Sequence, residues 1–445
     1  MTPTAATSLR GQQSVAGGHG DAAAMPEEHE ETEVPREARL LCDAQGKLIF
    51  IGDCAPLSFF QTVRQLVTSR VDPNAFAPET SRYSMLENAN PRTSAPSGLG
   101  AVPPAVNVEG IGDAVSAYLS VTTGLVDLFD HSRLVEDLAL WASQGLRQER
   151  SDDMTSAVNY LVLAIGCQKT DAENLAQAYF DFARDHSFTN LGGNLSIGTA
   201  QAFVLITLYM LGACQINGAF MFFGIAVRAA YSIGIHRTEV NSRFGPEMHR
   251  QRDRLWKSLR VVDLFLSTSM GRPPATSDVD CTVSYRSLTE DGQEAFDLLN
   301  ASAQIFLIIE EIVLEVYSRR KISPQLTEGI SRELRGWSAR WLPQLKDALA
   351  RPSPPPEESG FLNGACHVLS SYYYAVILVS RPFLMYELHR RLSENFPSIS
   401  AGRTGLVSGK SKLADACIDA ASLMIDPVHD LIKRGIMARR APVVV

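Results

Sequence analysis

Gly224-Ile225-Ala226-Val227-Arg228-Ala229-Ala230-Tyr231-Ser232-Ile233-Gly234-Ile235-His236-Arg237 is followed, after a polar turn, by Arg252-Asp253-Arg254-Leu255-Trp256-Lys257-Ser258-Leu259-Arg260-Val261-Val262-Asp263-Leu264-Phe265-Leu266-Ser267 and then by Gly271-Arg272-Pro273-Pro274. The stretch spells two helices with both stop signals. The first helix is expected from near Ala219. Phe220, Phe223 and Val227 fall on one face and Ile225 and Ala229 on another, so it is apolar on most sides and should be buried. Gly234 can adopt the left-handed backbone that ends a helix, and His236 and Arg237 stand where cations complement the helix dipole. The second helix repeats Leu255, Leu259, Val262 and Leu266 at one-face spacing. Arg250, Arg252, Arg254, Lys257 and Arg260 put charge on its other faces, and Arg250 to Arg254 read as a solvated helix start. Gly271 supplies a left-handed stop and Pro273-Pro274 forbid continuation.

Outward from this pair the chain keeps reading as helix. Ala157 to Ile165 is apolar. Ala176 to Arg184 carries Tyr179, Phe180 and Phe182. Ser196 or Thr199 can cap a helix that begins Gln201-Ala202-Phe203-Val204-Leu205-Ile206-Thr207-Leu208-Tyr209, apolar all round and therefore expected at the centre. Ile305 to Val316 is apolar. Ile330 to Leu345 is amphipathic through Leu334, Trp337, Trp341 and Leu345. On the other side, Lys47 to Gly52 reads as a short extended segment and Pro56 opens a helix with Phe59, Phe60, Val63, Leu66 and Val67. Met1 to Arg39 is poor in large apolar residues and carries an acidic cluster of Glu27, Glu28, Glu30, Glu31, Glu33 and Glu37, so it reads as a disordered, solvated tail. Prolines 73, 78, 91, 96, 103 and 104 mark a flexible linker.

Composition narrows the function. The chain has 445 residues, a net charge of −8 and 45% hydrophobic residues, the profile of a globular chain. Such an acid excess opposes non-specific nucleic-acid binding. Seven cysteines are scattered with no Cys-x-x-Cys, which fits reduced thiols better than disulfides or a zinc site. The longest apolar run, Ala202 to Cys214, is too short to span a bilayer, so no membrane partner is expected. Enzymatic templates fail as well. Gly110-Ile111-Gly112 has no preceding strand, and Gly409-Lys410-Ser411 has Thr404 where a phosphate loop needs glycine. Asp152-Asp153 lacks the third aspartate of a magnesium site. No catalytic, cofactor-binding or metal-ligating residue is expected.

Several motifs together carry a resemblance. Gly234-Ile235-His236-Arg237 resembles a Gly-Leu-His-Arg helix end, Arg254-Leu255-Trp256-Lys257 keeps one Trp of an Arg-x-Trp-Trp motif with Asp263 in place after it, and Gly271-Arg272-Pro273 matches Gly-Arg-Pro. Gln201 to Tyr209 matches Gln-Ala-x-x-Leu-Leu-x-x-Tyr. Cys366-His367-Val368-Leu369-Ser370-Ser371-Tyr372-Tyr373-Tyr374 and Ser380-Arg381-Pro382-Phe383 match a His-x-x-Tyr-Tyr and Arg-Pro-Phe pair, and Cys417-Ile418-Asp419-Ala420-Ala421 matches Cys-x-x-Ala-Ala. Taken in their order along the chain, these motifs make it resemble the middle regulatory region of the fungal zinc-cluster transcription factors, from about Gly46 to Met424.

The resemblance implies an all-α, large multi-helix regulatory domain behind a disordered N-terminal tail. The division would be 1–39 acidic tail, 40–70 lead-in segment and helix, 71–110 Pro-rich linker, 111–430 helical domain and 431–445 tail. It implies a nuclear transcription regulator, not an enzyme, controlling a fungal metabolic or secondary-metabolite gene cluster. The alternative is a regulator that acts through a partner factor without touching DNA. Implied partners are a homo- or heterodimer with a transcription factor, the transcription machinery and a small-molecule effector. Zinc and direct DNA contact are expected only from a zinc-cluster module, whose six closely spaced cysteines are not among these residues. Candidate structural or regulatory residues are Arg228, His236, Arg237, Trp256, Asp263, Gly271, Arg272, Tyr373 and Arg381. Arg228 and Asp263 are expected to form a buried ion pair, His236 to be a satisfied helix-end histidine, and Arg272 a turn residue with a local hydrogen bond. Arg319-Arg320-Lys321 is read as helical surface.

Overall fold

The computed structural model describes residues 31–42, 48–76, 103–145, 154–168, 173–289, 291–351, 359–394 and 409–437. Among them are thirteen helices and four short strands, the all-α architecture the periodicities predict. The decisive stretch folds as α7 (Ile216–Ser232) and α9 (Pro246–Met270), separated by the single turn α8 (Thr238–Asn241). α7 starts earlier than Ala219 because Cys214, at φ 56°, turns the chain sharply out of the preceding helix. Gly234 (φ 70°) and Gly271 (φ 64°) take the left-handed conformation at the two stops.

α6 (Ile197–Gly212) is the innermost rod, with every residue from Thr199 to Met210 buried. Ser196 and Thr199 share its cap: the Ser196 hydroxyl accepts the Thr199 N–H while the Thr199 hydroxyl accepts the Ser196 N–H. α6 packs on α4 (Met154–Cys167) and α7, and α4 in turn on α2 (Ile111–Thr122) and α5 (Glu173–Thr189), while α3 (Leu134–Gly145) flanks α2.

The second half is built on α12 (Ser359–Glu394), 36 residues long, which touches α2, α10 (Leu298–Ile312), α11 (Pro324–Leu349) and α13 (Gly409–Lys433). α12 is long and apolar enough to cross a membrane, but most of that stretch is buried among the other helices, as in a core helix. Pro382 lies inside it and cannot donate to the carbonyl of Leu378. The chain fills that vacancy. A single π-turn, Val313–Ser318, follows α10 and delivers Tyr317, whose hydroxyl donates to Leu378 O at 2.9 Å. On α11, Leu334, Trp337, Trp341 and Leu345 are all buried, as their spacing predicts.

Around this bundle lie β1 (Thr32–Glu33), β2 (Arg39–Cys42), β3 (Leu48–Ile51), α1 (Pro56–Arg70) and β4 (Lys321–Ile322). β1 pairs antiparallel with β4, and β2 with β3. Three boundary expectations change. Residues 31–39, assigned to a disordered tail, are placed by the β1–β4 ladder, by Lys321–Glu31 and by the burial of Val34 and Glu37; residues 1–30 lie outside the described residues. The end of the expected linker is docked, since Tyr160 and Tyr179 donate to Pro104 O and Ala105 O, each at 2.9 Å. At the other end Arg434 reaches back to Leu349 O and Arg351 O, and Asn363 donates to Ile436 O, so residues 434–437 are held by the bundle. Arg319-Arg320-Lys321 is not helical surface but the turn into β4, with Arg320 at φ 57°.

Candidate functional site: the charged spine of α9 and its flanking clefts

α9 runs through the interior, so its charged side chains need partners there. Arg252 donates to Asn241 Oδ1 at 2.7 Å and Ile233 O at 2.5 Å. Lys257 donates to Asn300 at 2.8 Å. Arg260, 1% exposed, bridges Glu310 at 2.6 Å, Asp278 at 2.9 Å and the Thr276 hydroxyl at 2.8 Å. The reading of Arg250 to Arg254 as a solvated start therefore holds for Arg250, which is exposed, and fails for Arg252, which is buried. These charges are consumed in pinning the chain before α9, the irregular stretch after it around Thr276 and Asp278, and α10 through Asn300 and Glu310.

The expected Arg228–Asp263 pair does not form. Arg228 is exposed on α7. Asp263 is buried and turns instead to the chain just beyond Gly271. It accepts the Ala275 N–H at 3.0 Å, the Thr276 N–H at 2.5 Å and the Thr276 hydroxyl. Burial pushes its carboxyl up from the ordinary value, and these donors oppose the shift only in part.

Gly271, Arg272 and Arg381 converge on residues 50–54. Gly52 donates to Met270 O at 2.8 Å and lies so close to Gly271 that a Cβ on Gly52 would sit 1.8 Å from Gly271 O. The Arg272 N–H makes the expected local bond at the helix stop, to Ser267 O at 2.8 Å, while its side chain reaches much further. Its guanidinium donates to Phe50 O at 3.0 Å and Asn217 Oδ1 at 2.7 Å and covers the Phe220 ring. Arg381, buried, donates to Cys54 O at 2.9 Å and to the Tyr317 hydroxyl at 2.8 Å, between the rings of Phe59 and Tyr317. Burial works against its charge, but Tyr317, Tyr374 and Glu37 outweigh that and the net shift is upward. The same burial raises the Glu37 carboxyl and takes the Cys54 thiol up to about 11. Two motifs more than 100 residues apart thus clasp one N-terminal segment.

The remaining candidates are structural in their surroundings. His236 lies against the rings of Tyr231 and Trp256, at 4.9 and 5.6 Å, with Nε2 3.6 Å from Asp280. Arg237 also pairs with Asp280 and so anchors the stretch after α9 to the end of α7. Trp256 is fully buried, and Tyr373 and Tyr374 are core while Tyr372 stacks on Trp337 at 5.2 Å.

Two clefts of about 810 and 800 Å³ open on either side of the segment between α2 and α3. The first has an apolar floor of Trp141, Met154, Val158 and Ile197. The second lies between that segment and the start of α10, beside Phe296 and Phe361. Both are bordered by Asp127, His131 and Arg254. Arg254 forms a salt bridge with Asp127 and, at 2.8 Å, another with Asp297. Burial opposes its charge, yet the two carboxylates hold its pKa above the ordinary value. The segment is fixed further by the Asp127 N–H donating to Ser258 Oγ at 2.9 Å and by Gln201 donating to Leu128 O at 3.0 Å. None of the nine candidate residues lines either cleft. The sequence signal was present in Arg254, two residues before Trp256, and in Asp127, a lone charge within the otherwise apolar stretch Leu125 to Phe129.

Among the described residues no group of three or more His, Cys, Asp or Glu side chains could hold a metal ion, so a zinc site does not fit them. Six cysteines there are free. The model of the fungal specific transcription factor domain matches residues 115–338. The chain is 26% identical to the fusaridione A cluster transcription factor of Fusarium heterosporum over 59% of its own length and 50% of that protein. It is 23% identical to an uncharacterized transcriptional regulatory protein of Schizosaccharomyces pombe, over 52% of this chain and 28% of that one. It is also 23% identical to Activator of stress genes 1 of Saccharomyces cerevisiae, over 49% and 24%. The chain thus spans between about a quarter and a half of the length of these curated relatives. No solved structure matches it. With the matched region running from α2 into α11 and covering half of the sequence, the chain belongs to the fungal-specific transcription factor domain family.

Proposed function

We propose that the chain is a nuclear transcription regulator that controls a metabolic or secondary-metabolite gene cluster through its helical domain. The observation that carries this reading is the family match over residues 115–338. The likeness to a factor named for one biosynthetic cluster supports the narrower, pathway-specific form. No residue in the reading performs catalysis. The proposed mechanism is a population shift. A small effector or a partner segment that enters one cleft and competes for Arg254 would release the segment carrying Asp127 and change the surface offered to the transcription machinery. A ligand moves such an equilibrium only by its differential affinity for the two arrangements. Taking it from 1:99 to 99:1 needs about 5.5 kcal/mol.

The net charge of −8 favours a second reading, in which the chain reaches DNA through a partner factor. Tethering the full chain to an unrelated DNA-binding module beside a reporter gene tests the shared core of both readings. Reporter output should change, and Arg254→Met should alter the size of that change. Unchanged output with the tethered chain present in the nucleus would refute the regulatory reading.

A further inference from the structure

We propose that α13 forms the contact face of a symmetric, antiparallel dimer of this chain. α13 packs on α12 through Ala414, Cys417, Ala420, Met424 and Leu431, which are buried. A second apolar line runs beside that one. Ile418, Ile425 and Ile432 are 53%, 60% and 58% exposed. They recur every seven residues, with Ala421 and Val428, both half-buried, at the intervening positions. That is a three- and four-residue alternation along one seam of a helix, the pattern that packs against another helix. Single exposed apolar residues need no explanation. Three isoleucines at one spacing on an outer helix do, because a β-branched residue is a weaker helix former than the Glu, Lys or Ala that an uncovered face would favour.

Charge selects the occupant. Asp415 and Lys433 flank the seam, near opposite ends of α13. When two copies of α13 run antiparallel about Ile425, Ile425 meets its symmetry mate and Ile418 meets Ile432. Lys433 of each copy then falls beside Asp415 of the other, twice by symmetry. A twofold contact of this kind uses one patch on both subunits. A parallel pairing in register, whose twofold runs along the helices, would put these side chains of the two copies on opposite sides of the seam and form neither pair. The seam from Ile418 to Ile432 covers about 21 Å of helix, a small contact, so the dimer should be weak and concentration-dependent. The proposal rests on this face and not on the regulatory reading, and either can fail alone.

Sedimentation equilibrium of the full chain over a concentration series tests it. The wild type should fit a reversible monomer–dimer equilibrium. Ile425→Asp, which sets two carboxylates against each other on the symmetry axis, should weaken the dimer by at least about tenfold, with helical circular dichroism unchanged. Asp415→Lys and Lys433→Glu should each weaken it, and the double reversal should restore it; a purely structural role for these charges predicts no such rescue. A wild type that stays monomeric throughout would overturn the proposal, including the case in which residues 395–408 or 438–445 cover the seam. So would a dimer that survives Ile425→Asp, or a double reversal that fails to recover.

Discussion

Gly52→Ala is the sharpest perturbation of the N-terminal clasp. The added Cβ would lie 1.8 Å from Gly271 O and 2.6 Å from its carbonyl carbon. Both are backbone atoms of a left-handed helix stop, so neither can rotate aside. To regain van der Waals contact the two backbones must part by about 1.5 Å, and strain of that kind costs about 1–3 kcal/mol. Parting by that much also breaks the 2.8 Å bond from Gly52 to Met270 O and loosens Arg272 from Phe50 O, at about 1 kcal/mol each. We expect docking of residues 48–55 to weaken by about 3 kcal/mol, which raises the undocked population roughly a hundredfold. Hydrogen exchange read by mass spectrometry should show that acceleration in peptides covering 48–55 and 268–272. Amides of α6, whose burial does not involve this contact, should keep their rates. Unchanged exchange in 48–55 would refute the close-approach argument. Equal acceleration throughout the bundle would show that the segment is not a separable strap.

Tyr317→Phe leaves Leu378 O without its donor above Pro382 and should lower unfolding free energy by about 1–3 kcal/mol, measured in urea; no loss would mean the kink is satisfied in another way. Arg260→Met strands Glu310 and Asp278 beside a buried position and should cost about 3–5 kcal/mol, with a second substitution, Glu310→Gln, recovering part of it in a double-mutant cycle. Glu311 is pushed up to about 7 by burial and by its hydrogen bond and repulsion with Glu333. A carboxyl raised in the folded state favours folding fully below the ordinary value of 4.5 and loses that advantage as pH climbs through 7. Glu311→Gln should therefore raise the Tm at pH 8 and leave it nearly unchanged at pH 4; the opposite ordering would contradict the assignment.

The parts of this fold that were legible in the sequence are those fixed by near neighbours. Gly234 and Gly271 end helices because only glycine takes that backbone cheaply, and their places can be read from a few flanking residues. The all-apolar run from Ala202 to Met210 could only be an inner rod, and Trp337 and Trp341 could only face inward on an amphipathic helix. What stayed hidden depends on contacts across long stretches of chain. Arg272 finds Phe50 across 222 residues and Arg381 finds Cys54 across 327, and no periodicity reports such a partner. Arg252, Lys257 and Arg260 look like solvent charges because no local pattern reports their acceptors, which sit on other elements: Asn241 on α8, Asn300 and Glu310 on α10, and Thr276 and Asp278 on the chain after α9. The Arg228–Asp263 expectation failed for the same reason. Asp263 is satisfied by backbone N–H groups of its own following turn, which a search for opposite charges cannot detect. The clefts beside Arg254 are spaces between elements, and their lining comes from four helices in the first and five in the second.

The most direct test of the regulatory account is a transcript profile of the native host after deletion of this gene. The account predicts that a small set of genes, physically grouped and belonging to one pathway, changes expression, falling for an activator and rising for an inhibitor of a partner factor. A profile unchanged across several growth conditions, including those in which the gene is expressed, would contradict it.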